Sequence, residues 1–195
     1  MIIIGLAGEA RVGKDTAADF LIQEHWFEPI SFATPIKRGV QSAFGLDPDK
    51  PNENREAILS DYGFSKRQLY QMFGTEFGRD MLGDDIWIKV AQRTLNNIIY
   101  QEENNPGLFT DSKGIVFTDV RFDNEAEFIK RNGGHIIKIE RTVNMPRVNP
   151  HCSEDGINPN LITTTIVNNG TIKELHDQIN LVLQEIKKCK VSSAA

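Results

Sequence analysis

The chain has 195 residues, of which 39% are hydrophobic and 25% charged. That length fits one domain with room for a small insert or lid, and it buries enough surface to need no disulfide or metal staple. With 27 acidic residues against 22 basic ones and a net charge of −5, direct nucleic-acid binding is not expected, because it requires a basic face.

Met1 to Ala7 is a short apolar run rich in β-branched residues and reads as a buried strand. It stops at Gly8-Glu9, too soon for a signal peptide or a membrane span. Asp15 to His25 places Ala18, Leu21 and Ile22 at helical spacing. Phe27 to Phe32 reads as a second strand, and Pro35 opens a helix reaching Phe44. Asp47 to Gly63, polar and holding Pro48 and Pro51, reads as a loop with one short helix. Ser65 caps a helix through Leu69, Met72 and Phe73. Asp84 or Asp85 caps another, with Trp87, Val90, Ala91, Leu95, Ile98 and Ile99 on one stripe, ended by Asn104-Asn105-Pro106-Gly107.

Gly114 to Val120 reads as a buried strand, and Asp123 to Asn132 as a helix stopped by Gly133-Gly134. His135 to Glu140 is the next strand. Val143 to Pro159 is a proline-punctuated loop, and Thr163 to Val167 a last strand. Thr171-Ile172-Lys173-Glu174 has the form of a capping box opening a long helix with Leu175, Ile179, Val182 and Ile186 on its apolar face. The tail from Val191 to Ala195 reads as unstructured. Strands alternating with helices predict a three-layer α/β fold around a doubly wound parallel sheet of about five strands, with ligands at their carboxyl ends. Cys152 and Cys189 stand apart without CxxC spacing, which fits a reduced, cytoplasmic setting and no zinc knuckle.

Gly8-Glu9-Ala10-Arg11-Val12-Gly13-Lys14 is a GxxxxGK between a strand and a helix, the context a phosphate-binding loop requires. Successive N–H groups around a glycine turn form an anion nest, and the following helix adds the positive end of its dipole. Lys14 reaches the β- and γ-phosphates. Asp15 stands where Ser or Thr usually binds Mg²⁺, with Thr16 next, and the sequence leaves open which of the two would hold the metal. The bland alternative is a glycine turn with an N-cap Asp and no nucleotide.

A GTPase would need an Asn-Lys-x-Asp motif, which is missing, and the DxxG at Asp111 to Gly114 precedes a strand instead of following one. What remains is a small ATP-dependent phosphotransferase, which works by alignment, water exclusion and charge cancellation, and so needs a second anion site and a basic lid. About 80 residues separate the second and third strands, far more than a crossover needs. That insert holds Lys37, Arg38, Phe77, Arg79 and Trp87. Arg79 suits an acceptor phosphate, and Phe77 or Trp87 a base, although Trp87 also lies on an apolar stripe and Lys37 and Arg38 also read as solvated charges.

Asp119 and Arg121 sit at the end of the third strand, Asp119 as a Mg²⁺ or acceptor ligand and Arg121 facing phosphates; a plain Asp–Arg turn pair is the alternative. Glu125 reads as a helix-dipole partner. Arg141 and Arg147 are candidates for a lid, whereas His151 and Cys152 lack partners at ligand spacing. Asn168-Asn169-Gly170-Thr171 reads as a turn and cap, or as lining for adenine.

GLAGEARVGKDTAADFL, FGTEFGRD followed by DDIWIKVA, FTDVRFDNEAEFIKRNGGHIIKIER, HCSE and IVNNGTIKEL together resemble the bacteriophage-type deoxynucleoside monophosphate kinases, relatives of the adenylate and dephospho-coenzyme A kinases. The resemblance runs from Ile2 to about Leu183, and its GKDT form of the loop matches that group. It implies transfer from ATP to a deoxynucleoside monophosphate with Mg²⁺, a core (1–34 and 114–190), a monophosphate-binding insert (35–113), a lid (141–160) and often a homodimer. It also implies that Gly8, Ala10, Arg11, Val12, Gly13, Lys14, Asp15 and Thr16 bind ATP, that Lys37, Arg79, Trp87, Asp119 and Arg121 bind the acceptor, and that Lys14, Arg121 and Arg141 act in catalysis. The competing readings are a kinase of another small acceptor, dephospho-coenzyme A-like or phosphomevalonate-like, and a nucleotide-binding module without catalysis.

Overall fold

The computed structural model describes residues 1–48, 50, 53–104, 113–142 and 156–192. Its strands are β1 (Ile2–Ala7), β2 (Phe27–Ile30), β3 (Ile58–Leu59), β4 (Phe64–Ser65), β5 (Gly114–Val120), β6 (His135–Glu140) and β7 (Thr164–Val167). Its α-helices are α1 (Lys14–His25), α2 (Ala33–Phe44), α3 (Lys66–Met72), α4 (Ile86–Asn104), α5 (Asp123–Arg131) and α6 (Ile172–Ser192). Two units form: Met1–Ile30 with Gln101–Ala195, and Ser31–Tyr100.

In the first unit a five-stranded sheet runs β2-β5-β1-β6-β7, and every neighbouring pair is parallel. The strands read as apolar runs because helices cover both faces. Ile2, Ile4 and Leu6 pack with Ala17, Ala18 and Leu21 of α1 and with Leu175, Ile179, Val182 and Ile186 of α6. On the other face Phe117 meets Phe128 of α5 edge-on at 5.8 Å. The expected three-layer architecture is therefore present. α5 stops where predicted: Gly134 N–H donates to Ile129 O and Gly133 N–H to Lys130 O, the paired bonds of a Schellman turn. α6 starts at its capping box, with Thr171 N–H donating to Glu174 at 2.6 Å and Glu174 N–H to the Thr171 hydroxyl at 3.2 Å.

The second unit is helical, with a core of Val40, Leu69 and Tyr70 flanked by Ile36, Phe44, Leu46, Leu59 and Phe73. Ser65 caps α3 as expected, reciprocally with Gln68. Two readings need correction here. The short helix expected between Asp47 and Gly63 does not form among the described residues; instead β3 and β4 make a hairpin around a turn ending at Gly63, pinned by the Tyr62 hydroxyl donating to Phe44 O at 2.9 Å. The helix ended at Phe73 by the sequence reading instead continues as a π-helix over Phe73–Leu82. Its wide turns bring two glycines against neighbours: a Cβ on Gly74 would lie 3.1 Å from Ile36, and one on Gly78 2.5 Å from the Trp87 ring. Along α4, Trp87, Ala91 and Leu95 are buried while Val90, Ile98 and Ile99 are half-buried. Asn105 to Gly107 lie outside the described residues. No helix among the described residues is long and apolar enough to cross a membrane.

Candidate functional site

β1 delivers the chain to the carboxyl edge of the sheet, and the loop from Gly8 to Gly13 turns it into α1. Both glycines have backbone angles that L side chains rarely adopt, φ +138° at Gly8 and +109° at Gly13. Both are also pressed against neighbours. A Cβ on Gly8 would lie 2.1 Å from the Ile139 carbonyl oxygen, and one on Gly13 2.4 Å from Nδ2 of Asn168. Between them Arg11, with φ +65°, takes up a left-handed conformation that strains a non-glycine residue. Gly13 is the N-cap of α1 and no side chain caps that helix, the arrangement in which first-turn N–H groups can receive an anion. Lys14 Nζ folds over the loop and donates to Gly8 O at 2.7 Å and Glu9 O at 2.6 Å. The ammonium is thus held at the mouth of the turn.

Asp15 is exposed and Thr16 half-buried in the first turn of α1. Their hard oxygens suit Mg²⁺, which keeps waters and phosphate oxygens among its ligands. Among the described residues no three His, Cys, Asp or Glu side chains gather into a metal cage.

β5 runs beside β1 with a slip in register: Gly5 faces Phe117, but Ala7 faces Val120. One residue, Leu6, thus stands opposite two, Thr118 and Asp119. This is a bulge, a device that re-aims side chains near active sites. Asp119 is half-buried there, and Arg121 is exposed one step beyond the strand, beside the entry to the loop. Glu125, only 2% exposed, accepts from the N–H groups of Arg121 and Phe122 at 2.8 and 3.2 Å. It holds the start of α5, the helix-terminus role expected of it. On the other side of β1, Ala7 faces Lys138 of β6, and exposed Arg141 follows that strand. Arg147, His151 and Cys152 lie outside the described residues.

The remaining candidates belong to the second unit. Lys37 is half-buried on α2. Arg79 is buried inside the π-helix, its Nη1 donating to Asp84 O at 3.2 Å. Trp87 is buried as well and its Nε1 donates to Gly74 O at 2.7 Å; with Gly78 against its ring, it props the π-helix. Phe77, 41% exposed and stacked at 5.1 Å on Phe73, is the aromatic of this segment with an open face.

The sequence places Asn168 in a turn or against adenine. The structure buries it and gives its Nδ2 to Val12 O at 2.8 Å. No local signal reveals this contact, which joins residues 156 positions apart.

Comparisons with known proteins identify the family and the fold. The family model "Deoxynucleotide monophosphate kinase" matches residues 48–179. A protein of Acanthamoeba polyphaga mimivirus named as a deoxynucleotide monophosphate kinase is 31% identical over 191 residues, covering 92% of this chain and 94% of its own. The deoxynucleoside-5'-monophosphate kinase of Escherichia phage T5 is 29% identical over 150 residues, 73% of this chain and 53% of its own, so the match spans about half of that relative. Among solved structures, TT1252 from Thermus thermophilus shares the fold at a TM-score of 0.51 and 14% identity, with 94% and 97% of the two chains covered.

Proposed function

The chain belongs to the deoxynucleotide monophosphate kinase family, and from that premise we propose how its residues divide the work. It is an enzyme that phosphorylates deoxynucleoside monophosphates, and its substrates are nucleotides. The loop from Gly8 to Thr16 takes the triphosphate of ATP. Residues of the second unit, with Lys37 and Arg79 as the cations, Phe77 as the base platform and Trp87 as their support, take the acceptor. Asp119 and Arg121 meet the phosphates at the sheet edge, and Arg141 and Arg147 supply further positive charge. The observation that carries this reading is Lys14, hydrogen-bonded across a turn whose two glycines leave no room for side chains.

No protein nucleophile is required. An oxygen of the acceptor phosphate attacks the γ-phosphorus in line, the bond to the β–γ bridging oxygen breaks, and the electron pair leaves on ADP. The acceptor phosphate is already largely ionised near pH 7, its second pKa being about 6, so Asp119 positions groups and need not remove a proton. Lys14, Arg121 and Arg141 cancel the charge that spreads over the transferring oxygens. Asp15 or Thr16 would hold Mg²⁺, which would supply further charge neutralisation.

A homodimer and a reducing cytoplasmic setting also fit this reading, the first tested by light scattering. The activity itself is tested by coupled ADP release over the common deoxynucleoside and ribonucleoside monophosphates. ADP formation that depends on an added deoxynucleotide is expected. No ADP with any of them in the presence of Mg²⁺ overturns the acceptor assignment.

A further inference from the structure

Of the two glycines that shape the phosphate loop, Gly8 rests on the carbonyl of Ile139 in β6 and Gly13 on the side-chain amide of Asn168 just past β7. Asn168 is 4% exposed. Its backbone N–H donates to Glu140 O at 2.8 Å, which fixes the residue to the end of β6, and its Nδ2 donates to Val12 O at 2.8 Å. In a trans peptide the carbonyl of one residue and the N–H of the next point in opposite directions. The bond that turns the Val12 carbonyl towards Asn168 therefore turns the Gly13 N–H away from it. A carbonyl left free to rotate would bring a negative dipole to a nest whose affinity for phosphate depends on N–H groups alone.

We propose that Asn168 is a positioning residue for the phosphate donor: by holding the Val12 carbonyl it fixes the Val12–Gly13 peptide so that the loop presents donors, and no acceptor, to the triphosphate. Arg11, next to this peptide, sits in a strained conformation, and such backbone persists only where its surroundings over-determine it. Asn168 reaches the loop through a side-chain hydrogen bond. This inference rests on the reading of the loop as an ATP site, and the role it assigns is towards ATP, not towards the acceptor.

The test uses the full-length chain, with Asn168→Asp, which keeps the shape but places a carboxylate against the carbonyl, and Asn168→Leu, which removes the polar pair. ATP and inorganic tripolyphosphate are titrated calorimetrically, and turnover is measured with each substrate varied. The loss of one hydrogen bond in this position corresponds to roughly a tenfold effect. Both variants are expected to bind ATP and tripolyphosphate about tenfold more weakly, with the KM for ATP raised in proportion and the KM for the acceptor unchanged. A variant that melts like the parent and binds both ligands within twofold of it overturns the inference. So does an equal rise of both KM values, which marks general loosening. If Asn168→Leu does not fold, Asn168→Asp alone decides between these outcomes. Failure of the unmodified chain to bind ATP or tripolyphosphate would strike the reading of the loop itself, and is seen separately in the first titration.

Discussion

The indole of Trp87 occupies the space where a side chain on Gly78 would have to stand: three of its ring atoms lie 2.5, 2.7 and 2.7 Å from that Cβ position. Gly78 is the sixth residue of the π-helix, and the same indole donates to Gly74 O in its first turn. The wide turn, the two glycines and the tryptophan thus form one arrangement. Gly78→Ala forces ring or backbone to move, and is expected to destabilise the chain by about 1–3 kcal/mol, the usual cost of overfilling a packed site. Trp87→Phe leaves the Gly74 carbonyl without that donor and is expected to cost a similar ~1–3 kcal/mol. Urea unfolding of the two single variants and the double variant tests the coupling, because residues in contact should not add. Full additivity would show that the two do not share a site.

Lys14→Ala separates chemistry from folding. The lysine is half-buried at the start of α1 and bonds two carbonyls of the loop before it, so its loss should change stability by no more than about 0.5 kcal/mol. Turnover should fall by at least ~100-fold, the scale seen when one preorganised donor to a developing charge is removed. Comparing melting curves with initial rates checks both halves. A variant retaining more than a tenth of the turnover would remove Lys14 from the catalytic set.

Acid stability should depend on His25, at the end of α1. Its ring meets Phe20 edge-on at 5.1 Å, and Phe20 in turn stacks on His176 at 3.9 Å. Burial holds the pKa of His25 below its ordinary value; the hydrogen bond with the Asn180 side chain works the other way, the nearby Lys187 and Lys113 charges add to the lowering, and Glu24 opposes it. Unfolded His25 titrates near 6.5, so below that pH the unfolded chain binds the extra proton first. Stability is unaffected above pH 6.5 and falls as the pH drops from there to the folded value. Glu174 behaves in the opposite sense: the N–H and then the hydroxyl of Thr171 lower its pKa below the ordinary 4.5, so its contribution is present above pH 4.5 and disappears as the pH falls through the folded value. Urea midpoints should begin to decline as the pH falls below 6.5, and His25→Gln should remove that decline while leaving the loss that sets in below pH 4.5.

The sequence was informative wherever structure is fixed by neighbours in the chain. The caps at Ser65 and Thr171, the glycine stop after α5 and the strand–loop–helix of the phosphate loop each depend on residues within about six positions, and each formed where the pattern placed it. The hairpin of β3 and β4 escaped notice because two-residue strands carry no periodicity. The π-helix escaped because the helical reading stops at Phe73, whereas the glycines at 74 and 78 beyond it admit Ile36 and the ring of Trp87. The slip opposite Leu6 belongs to a pairing between strands more than a hundred residues apart. The clasp of Asn168 on Val12 is equally remote, and an asparagine before Gly170-Thr171 looks like any other turn residue.

The order of the sheet also bears on synthesis. β1 is the first strand made, yet both strands that flank it, β5 and β6, come from residues 114–120 and 135–140. Until they emerge from the ribosome, its isoleucines have no sheet partner. At about 5–20 residues per second of translation, the opening segment waits roughly 6–27 s with an unpaired, aggregation-prone edge. Chaperones that bind extended aliphatic segments should therefore engage this chain at β1, and lose their hold once residue 140 has cleared the exit tunnel.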